Sequence, residues 1–247
     1  RHPVHPFPAR MAPGIAIAAI SESPRPLRVL DPMMGSGTVL AVARAHGHSA
    51  MGVDMDPLAV LLTRVWTTPI DQEEMLETGA EVLGRAKARY TGLSIAQAYP
   101  DGSDEETRAF IRYWFDEHAR KQLASLAHSI QRVRDENIKS ALWCAFSRLI
   151  ITKSFGASLA MDLSHSRPHK SFLRAPAKPF QYFLPAVEIV AANCLSSKSK
   201  SRGPRIRVNL GDARSLVLDA ASIDLILTSP PYLNAIDYIR CSKFSLV

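Results

Sequence analysis

The chain has 247 residues, 47% of them hydrophobic, which suits one large domain, or a domain with an insertion, built on a sizeable core. It has no apolar run of about 18 residues, and Arg1-His2-Pro3-Val4-His5-Pro6 lacks the apolar core of a signal peptide, so spanning or secreted classes are not expected. Cys144, Cys194 and Cys241 form no C-x-x-C pair, which argues against zinc and fits a reducing, cytoplasmic compartment, while a formal charge of +7 alone favours a polyanionic partner only weakly. A first residue of Arg1 rather than Met leads us to expect a fragment or processed product.

In chain order, Leu27 to Leu30 forms a short apolar strand ending at Asp31, followed by Pro32-Met33-Met34-Gly35-Ser36-Gly37 and a run of helix formers from Thr38 to Arg44, with Gly47 as the stop. A second strand, Ser49 to Val53, ends in Asp54, and Pro57 occupies the first turn of the next helix. This is a β-α-β unit, whose parallel strands require a right-handed crossover. From Asp71 long helices take over. Asp71-Gln72-Glu73-Glu74 and Ser103-Asp104-Glu105-Glu106 read as capped starts, and Phe110, Ile111, Trp114 and Phe115 with Leu123, Leu126 and Ile130 form an apolar helical face. A further helix covers Ile138 to Thr152, and the aromatics of this region read as core.

Between Ser164 and Arg207 stand nine basic residues, Arg167, Lys170, Arg174, Lys178, Lys198, Lys200, Arg202, Arg205 and Arg207, against the single acid Glu188, which accounts for the whole net charge. Pro168, Pro176, Pro179 and Pro185 point to an irregular first half with Phe172, Phe180, Tyr182 and Phe183 interleaved, and Ser196 to Gly203 reads as a loop. Such a mixture suits a nucleic-acid strand, through phosphate contacts and base stacking, and equally suits a solvated loop over the core. The α/β pattern then resumes with strands Ile206 to Leu210, leading to Gly211-Asp212, and Ile223 to Thr228, leading to Ser229-Pro230-Pro231-Tyr232. The prolines cannot donate ladder hydrogen bonds, so they end the last strand on a stiff, exposed ledge.

A glycine turn between strand and helix lets a ligand approach the backbone at a helix N-terminus. No Gly-Lys-Ser/Thr follows, so it is not a phosphate loop, and Leu40 stands where a dinucleotide fingerprint has its third glycine. Asp54 is placed to accept from ribose hydroxyls, with Asp56 as a competitor, and Asp212 could accept from an adenine amino group. Each acid alone would read as a cap or turn residue; three acids after three strands point to the carboxyl ends of an open α/β sheet.

Asp31-Pro-Met-Met-Gly-Ser-Gly-Thr38, Gly52-Val-Asp54 and Thr228-Ser-Pro-Pro-Tyr232 together resemble the S-adenosylmethionine-dependent amino methyltransferases of DNA, the N4-cytosine and N6-adenine type. His5-Pro-Phe-Pro-Ala-Arg-Met11 is similar to the segment those enzymes pack over the methyl donor. The likeness covers about the first 65 and last 45 residues, and Met33 stands where Phe is common in the family. It implies an α/β, Rossmann-like methyltransferase sheet with a mainly helical insertion. The parts would be a donor-binding half at 1–68, a helical insertion with a basic, DNA-contacting loop at 69–203, and the last strands with the catalytic motif at 204–247.

The same likeness implies a donor site of Asp31, Pro32, Met34, Gly35, Ser36, Gly37, Thr38, Asp54 and Asp212, and a catalytic ledge of Ser229, Pro230, Pro231 and Tyr232. There the Ser229 hydroxyl and Pro230 carbonyl would accept the hydrogens of an exocyclic base amino group while Tyr232 stacks on the flipped base. No Pro-Cys dipeptide of the C5-cytosine type occurs, and Ser before Pro-Pro-Tyr leans toward cytosine N4 within a restriction–modification setting. An RNA base methyltransferase on the same fold and a non-catalytic nucleotide- or DNA-binding remnant are the rival readings. Only four strands can be counted against the family's usual seven, so the chain is expected to be truncated after the catalytic motif, to need a C-terminal completing segment and to be inactive alone.

Overall fold

The computed structural model describes residues 4–7, 10–161, 163, 168–197, 203–231 and 239–246. They fall into two compact units, a sheet unit of Phe7–Pro69 with Cys194–Ser242 and a helical unit of Ile70–Asn193 with Arg1–Pro6 and Lys243–Val247.

The sheet unit opens with α1 (Pro13–Ile20), an element with no counterpart in the expectations above, and continues through β1 (Arg28–Asp31), α2 (Thr38–Ala45), β2 (Ser49–Asp54) and α3 (Pro57–Thr67). After the helical stretch the chain returns with β3 (Ile206–Leu210) and β4 (Leu225–Ile226). All neighbours are parallel, in the order β3-β2-β1-β4, with Asp31 opposite Gly52, Asp54 opposite Leu210 and Leu30 opposite Ile226. The fold is therefore α/β and Rossmann-like, and the strand order reverses at β1, the topological switch point where such sheets bind ligands. One sheet face is closed by helices: Val29 and Ala50 pack with Ala16, Ile20, Leu40, Ala43 and Val60, and Ile206, Val208, Leu225 and Leu227 adjoin that core.

The short strand β4 is tied to β1 at both ends. At the amino end Asp224 accepts from Arg28 through Nε at 2.9 Å, Nη2 at 3.0 Å and the amide at 2.9 Å, with Arg25 adding a fourth donor. These hydrogen bonds, led by the Arg28 side chain, hold the Asp224 carboxyl well below the usual carboxylate range. At the other end Thr228 reaches Asp31.

The helical unit contains α4 (Gln72–Gly92), α5 (Glu105–Trp114), α6 (Glu117–Gln131), α7 (Glu136–Ile150) and α8 (Pro179–Asn193), and α9 (Ile239–Leu246) contributes its last residues. Aspartates cap α4, α5, α6 and α7 through Asp71, Asp104, Asp116 and Asp135, each accepting from amides of the first turn. The apolar face anticipated from Phe110 to Ile130 is divided, because Phe115 is extended and Asp116 starts a new helix. Of the aromatics expected in the core, Phe115 is buried, while the half-buried Phe110 and Trp114 pack on Phe244 with ring centroids at 5.2 and 4.9 Å.

The proline-rich stretch is a correction. Its second part is the helix α8, where Pro179 stands at the start, a position that needs no amide donor, and Pro185 lies inside. Phe183 is fully buried and therefore core rather than a stacking platform, and the half-buried Phe180 meets Tyr90 edge-on at 5.6 Å. Burial of Phe183, Val187 and Val190 offsets the backbone hydrogen bond lost at Pro185. Among the described residues no helix is long and apolar enough to cross a membrane, and no cluster of metal-ligating side chains occurs.

The Asp116 carboxylate serves two segments, accepting from the Ala119 amide at 2.8 Å and from the Ala175 amide at 2.5 Å. Asp71, by contrast, accepts from the Glu73 and Glu74 amides of its own first turn. Asp71→Ala should cost about 1 kcal/mol, a single cap, whereas Asp116→Ala should cost about 2–3 kcal/mol because a second amide loses its acceptor. Urea unfolding of the two variants checks the ratio.

Candidate functional site

The turn after β1 is built by backbone constraints. The Met34 amide donates to the Val53 carbonyl at 3.1 Å, the Gly35 amide donates to Asp54 Oδ2 at 2.8 Å, and Thr63 Oγ1 donates to the Gly35 carbonyl at 3.1 Å. Gly35 and Gly37 hold φ of +50° and +79°, and a Cβ on Gly37 would sit 2.5 Å from the Thr63 methyl. Gly37 is thus required twice over, for its left-handed backbone and for its closeness to α3. Leu40, the apparent defect in the fingerprint, is fully buried against β2, where a Cβ on Gly52 would fall 2.8 Å from it and 2.4 Å from Met34 Sδ. The space a third glycine would give on the helix is here supplied from the strand.

Nothing lies within 4 Å of a Cβ position on Gly35, and no side chain caps α2. Beside them Ser36 Oγ is buried and finds no hydrogen-bond partner among the described residues. An open glycine, uncapped helix amides and a buried unsatisfied hydroxyl form a donor-rich cradle for a polar ligand.

The acids at the strand ends do different work. Asp31 is buried, and its Oδ1 accepts from Thr228 Oγ1 at 2.7 Å and from the Met33 amide at 3.3 Å. Burial pushes its carboxyl up to about 6, against the lowering effect of those hydrogen bonds. Asp54 is half-buried, accepting from Gly35 on Oδ2 and from the Asp56 amide at 2.9 Å on Oδ1, so it braces the turn while keeping an open side. Asp56, its sequence competitor, is a buried cap of α3 that accepts from the Leu58 amide at 2.9 Å and from Ser242 Oγ at 2.5 Å. Desolvation raises its pKa. Asp212 follows β3 and is engaged by the Arg214 guanidinium at 2.6 Å, whose hydrogen bonds bring its carboxyl down to about 2.

After β4, the Leu227 amide donates to the Leu30 carbonyl at 3.0 Å and Thr228 locks onto Asp31. Ser229, Pro230 and Pro231 then stand exposed. The turn residues Pro32, Met34, Gly35, Ser36, Gly37 and Thr38, with Asp54 and the ledge, therefore converge on the carboxyl ends of β1, β2 and β4, and Asp212 marks the end of β3. Tyr232 lies outside the described residues, as do Arg167, Lys198, Lys200 and Arg202 of the basic stretch and Pro8 and Ala9 of the amino-terminal segment. Of the remaining basic residues, Lys170 lies 4.4 Å over the Tyr113 ring and Arg205 and Arg207 are exposed on and before β3. His5, whose segment was expected to cover a donor, is a buried member of the helical unit with Nε2 at 3.0 Å from Ser147 Oγ. Sequence reasoning assigned no role to Thr228, Thr63 or Gly52; Thr228 and Gly52 carried a signal only by standing in the quoted motifs, and Thr63 carried none.

Compared with known proteins, the chain is 23% identical to the Type II methyltransferase M.MvaI of Kocuria varians across 99% of its own length and 56% of that protein's. The likeness is to a methyltransferase. The chain spans a little over half the length of this relative. No protein-family model and no solved structure matches the chain.

The raised Asp31 carboxyl has a measurable consequence. A carboxyl that binds its proton more tightly when folded contributes stability that is full below the unfolded value near 3.8 and is lost as pH rises through about 6. Relative to Asp31→Asn, the native protein should lose up to about 3 kcal/mol between pH 4 and pH 7. Urea midpoints of both proteins across that range check this, and a flat difference would place Asp31 at an ordinary carboxylate value.

Proposed function

We propose that the chain carries the donor-binding and amino-methylating site of a DNA methyltransferase that uses S-adenosylmethionine, with cytosine N4 as the target favoured over adenine N6. The observation that carries this reading is the meeting, at one topological switch point, of an open glycine turn, the half-buried Asp54 and an exposed Ser-Pro-Pro ledge. The likeness to a methyltransferase supports it independently.

The residues fit the proposed donor. Ser36 Oγ and the first amides of α2 are free to donate to its carboxylate, Gly35 leaves room for its body, and Asp54 offers lone pairs to ribose hydroxyls. When bound, S-adenosylmethionine supplies an electrophilic methyl on sulfonium sulfur. The protein's part is to prepare the nucleophile, since a base amino nitrogen is weak while its lone pair is delocalised into the ring. The Ser229 hydroxyl and Pro230 carbonyl accept the amino hydrogens and turn that lone pair toward the methyl. The lone pair forms the new nitrogen–carbon bond, the carbon–sulfur pair stays with sulfur, and one amino proton leaves to solvent. Tyr232 stacks on the extruded base. Proline stiffness fixes the carbonyl direction, and Thr228 on Asp31 anchors the ledge to β1, so the acceptors are preorganised. The basic residues between Arg167 and Arg207 supply phosphate contacts.

In the full-length protein, labelled S-adenosylmethionine and defined DNA followed by mass spectrometry of the nucleosides should yield N4-methylcytosine. N6-methyladenine would move the target, and methylated RNA alone would overturn the substrate. Asp54→Ala should weaken donor binding by about 1.5–3 kcal/mol in titration calorimetry, whereas Ser229→Ala should lower turnover with donor affinity intact. Asp56→Ala is no neutral control, because it removes a buried cap.

A further inference from the structure

The helical unit holds a cavity of about 390 Å³ whose chemistry the methylation reading does not use. Its walls include Phe115, Trp143, Phe146 and Phe244, and Arg120 reaches it from α6. Arg120 is only 7% exposed, its Nε has no hydrogen-bond partner, and no carboxylate pairs with it among the described residues. Its guanidinium lies 4.8 Å over the Tyr99 ring, while Arg108 lies 5.3 Å from the same ring centroid, so a second cation shares the ring on which Arg120 rests. Asp101 is the one carboxylate on the cavity lining, set there with Arg89 and Arg120, and it forms no ion pair with Arg120 among the described residues; Asp116 accepts from two backbone amides and Glu105 pairs with Arg112.

A buried cation without a counter-charge is costly, and a cation–π contact returns only part of the lost hydration. An apolar cavity of this size, with a few converging polar groups, is the usual form of a small-molecule site. We propose that this cavity binds a small organic anion, with an aromatic or apolar body against Trp143 and Phe146 and its charged head on Arg120. The site lies wholly within the helical unit and is independent of the sheet's glycine turn and ledge. Planar guanidinium geometry favours a carboxylate, sulfonate or phosphate head, which Arg can hold through two parallel hydrogen bonds.

The test uses the whole chain and two fluorescent probes of similar body, anionic 1-anilinonaphthalene-8-sulfonate and neutral N-phenyl-1-naphthylamine. The anionic probe should bind saturably at one site, with energy transfer from tryptophan that falls in Trp143→Phe. Arg120→Met should weaken it by about tenfold or more while the neutral probe is retained, which also reports that the cavity is intact. Arg120→Gln, whose amide is tolerated where a methionine is not, is required to show the same pattern. Equal binding of the anionic probe to native protein and a folded Arg120 variant, or binding without saturation, would overturn the proposal.

Discussion

The sheet unit depends on how a very short strand is held beside the central one. Two residues of β4 cannot secure a parallel pairing by their own ladder, so side chains do it at each end. The Arg28–Asp224 pair works at the exposed amino end, where solvent screening makes it chiefly a matter of register. The Thr228–Asp31 hydrogen bond works at the carboxyl end with a buried carboxylate, where a misplaced partner is costly. Because β4 lies on the opposite side of β1 from β2, this bond also spans the switch point. Any group set by the ledge is thereby referenced to the glycine turn through a single carboxylate.

The acids show how similar positions acquire different chemistry. Asp31, Asp54 and Asp212 each follow a strand, yet one is buried and holds its proton tightly, one braces a turn, and one is neutralised by Arg214. Asp54 alone combines a fixed geometry with an open side, which is what recognition of hydroxyls requires. Asp56 lies two residues away but faces inward, capping α3 and taking the Ser242 hydroxyl. The carboxylate type is common to all four; burial and the partner each one takes separate them.

The two units use charge in contrasting ways. In the sheet unit the aspartates Asp31, Asp54, Asp56, Asp212 and Asp224 each take a side-chain or backbone donor. In the helical unit, aspartates are spent on helix starts, leaving arginines around Tyr99 with few counter-charges, and Arg120 is the one carried inside. That distribution is invisible in the net charge, which the stretch from Ser164 to Arg207 dominates.

By itself the sequence determined the β-α-β unit, the glycine turn, the helix starts at Asp71 and Asp104, and the strand that ends on Ser-Pro-Pro. These are local matters: backbone permissiveness at glycine, missing donors at proline, and short side chains that cap a neighbouring turn. Tertiary structure decided what depends on a distant partner. It made a helix of Pro179–Asn193 despite Pro185, because the buried face outweighs one lost hydrogen bond, and gave Asp116, the cap at which the Phe110–Ile130 face divides, a second donor in the Ala175 amide. It let Leu40 stand where a glycine was expected, because Gly52 gives way on the facing strand. It distinguished Asp54 from Asp56, since burial is a property of what packs around a residue and not of its place in the chain.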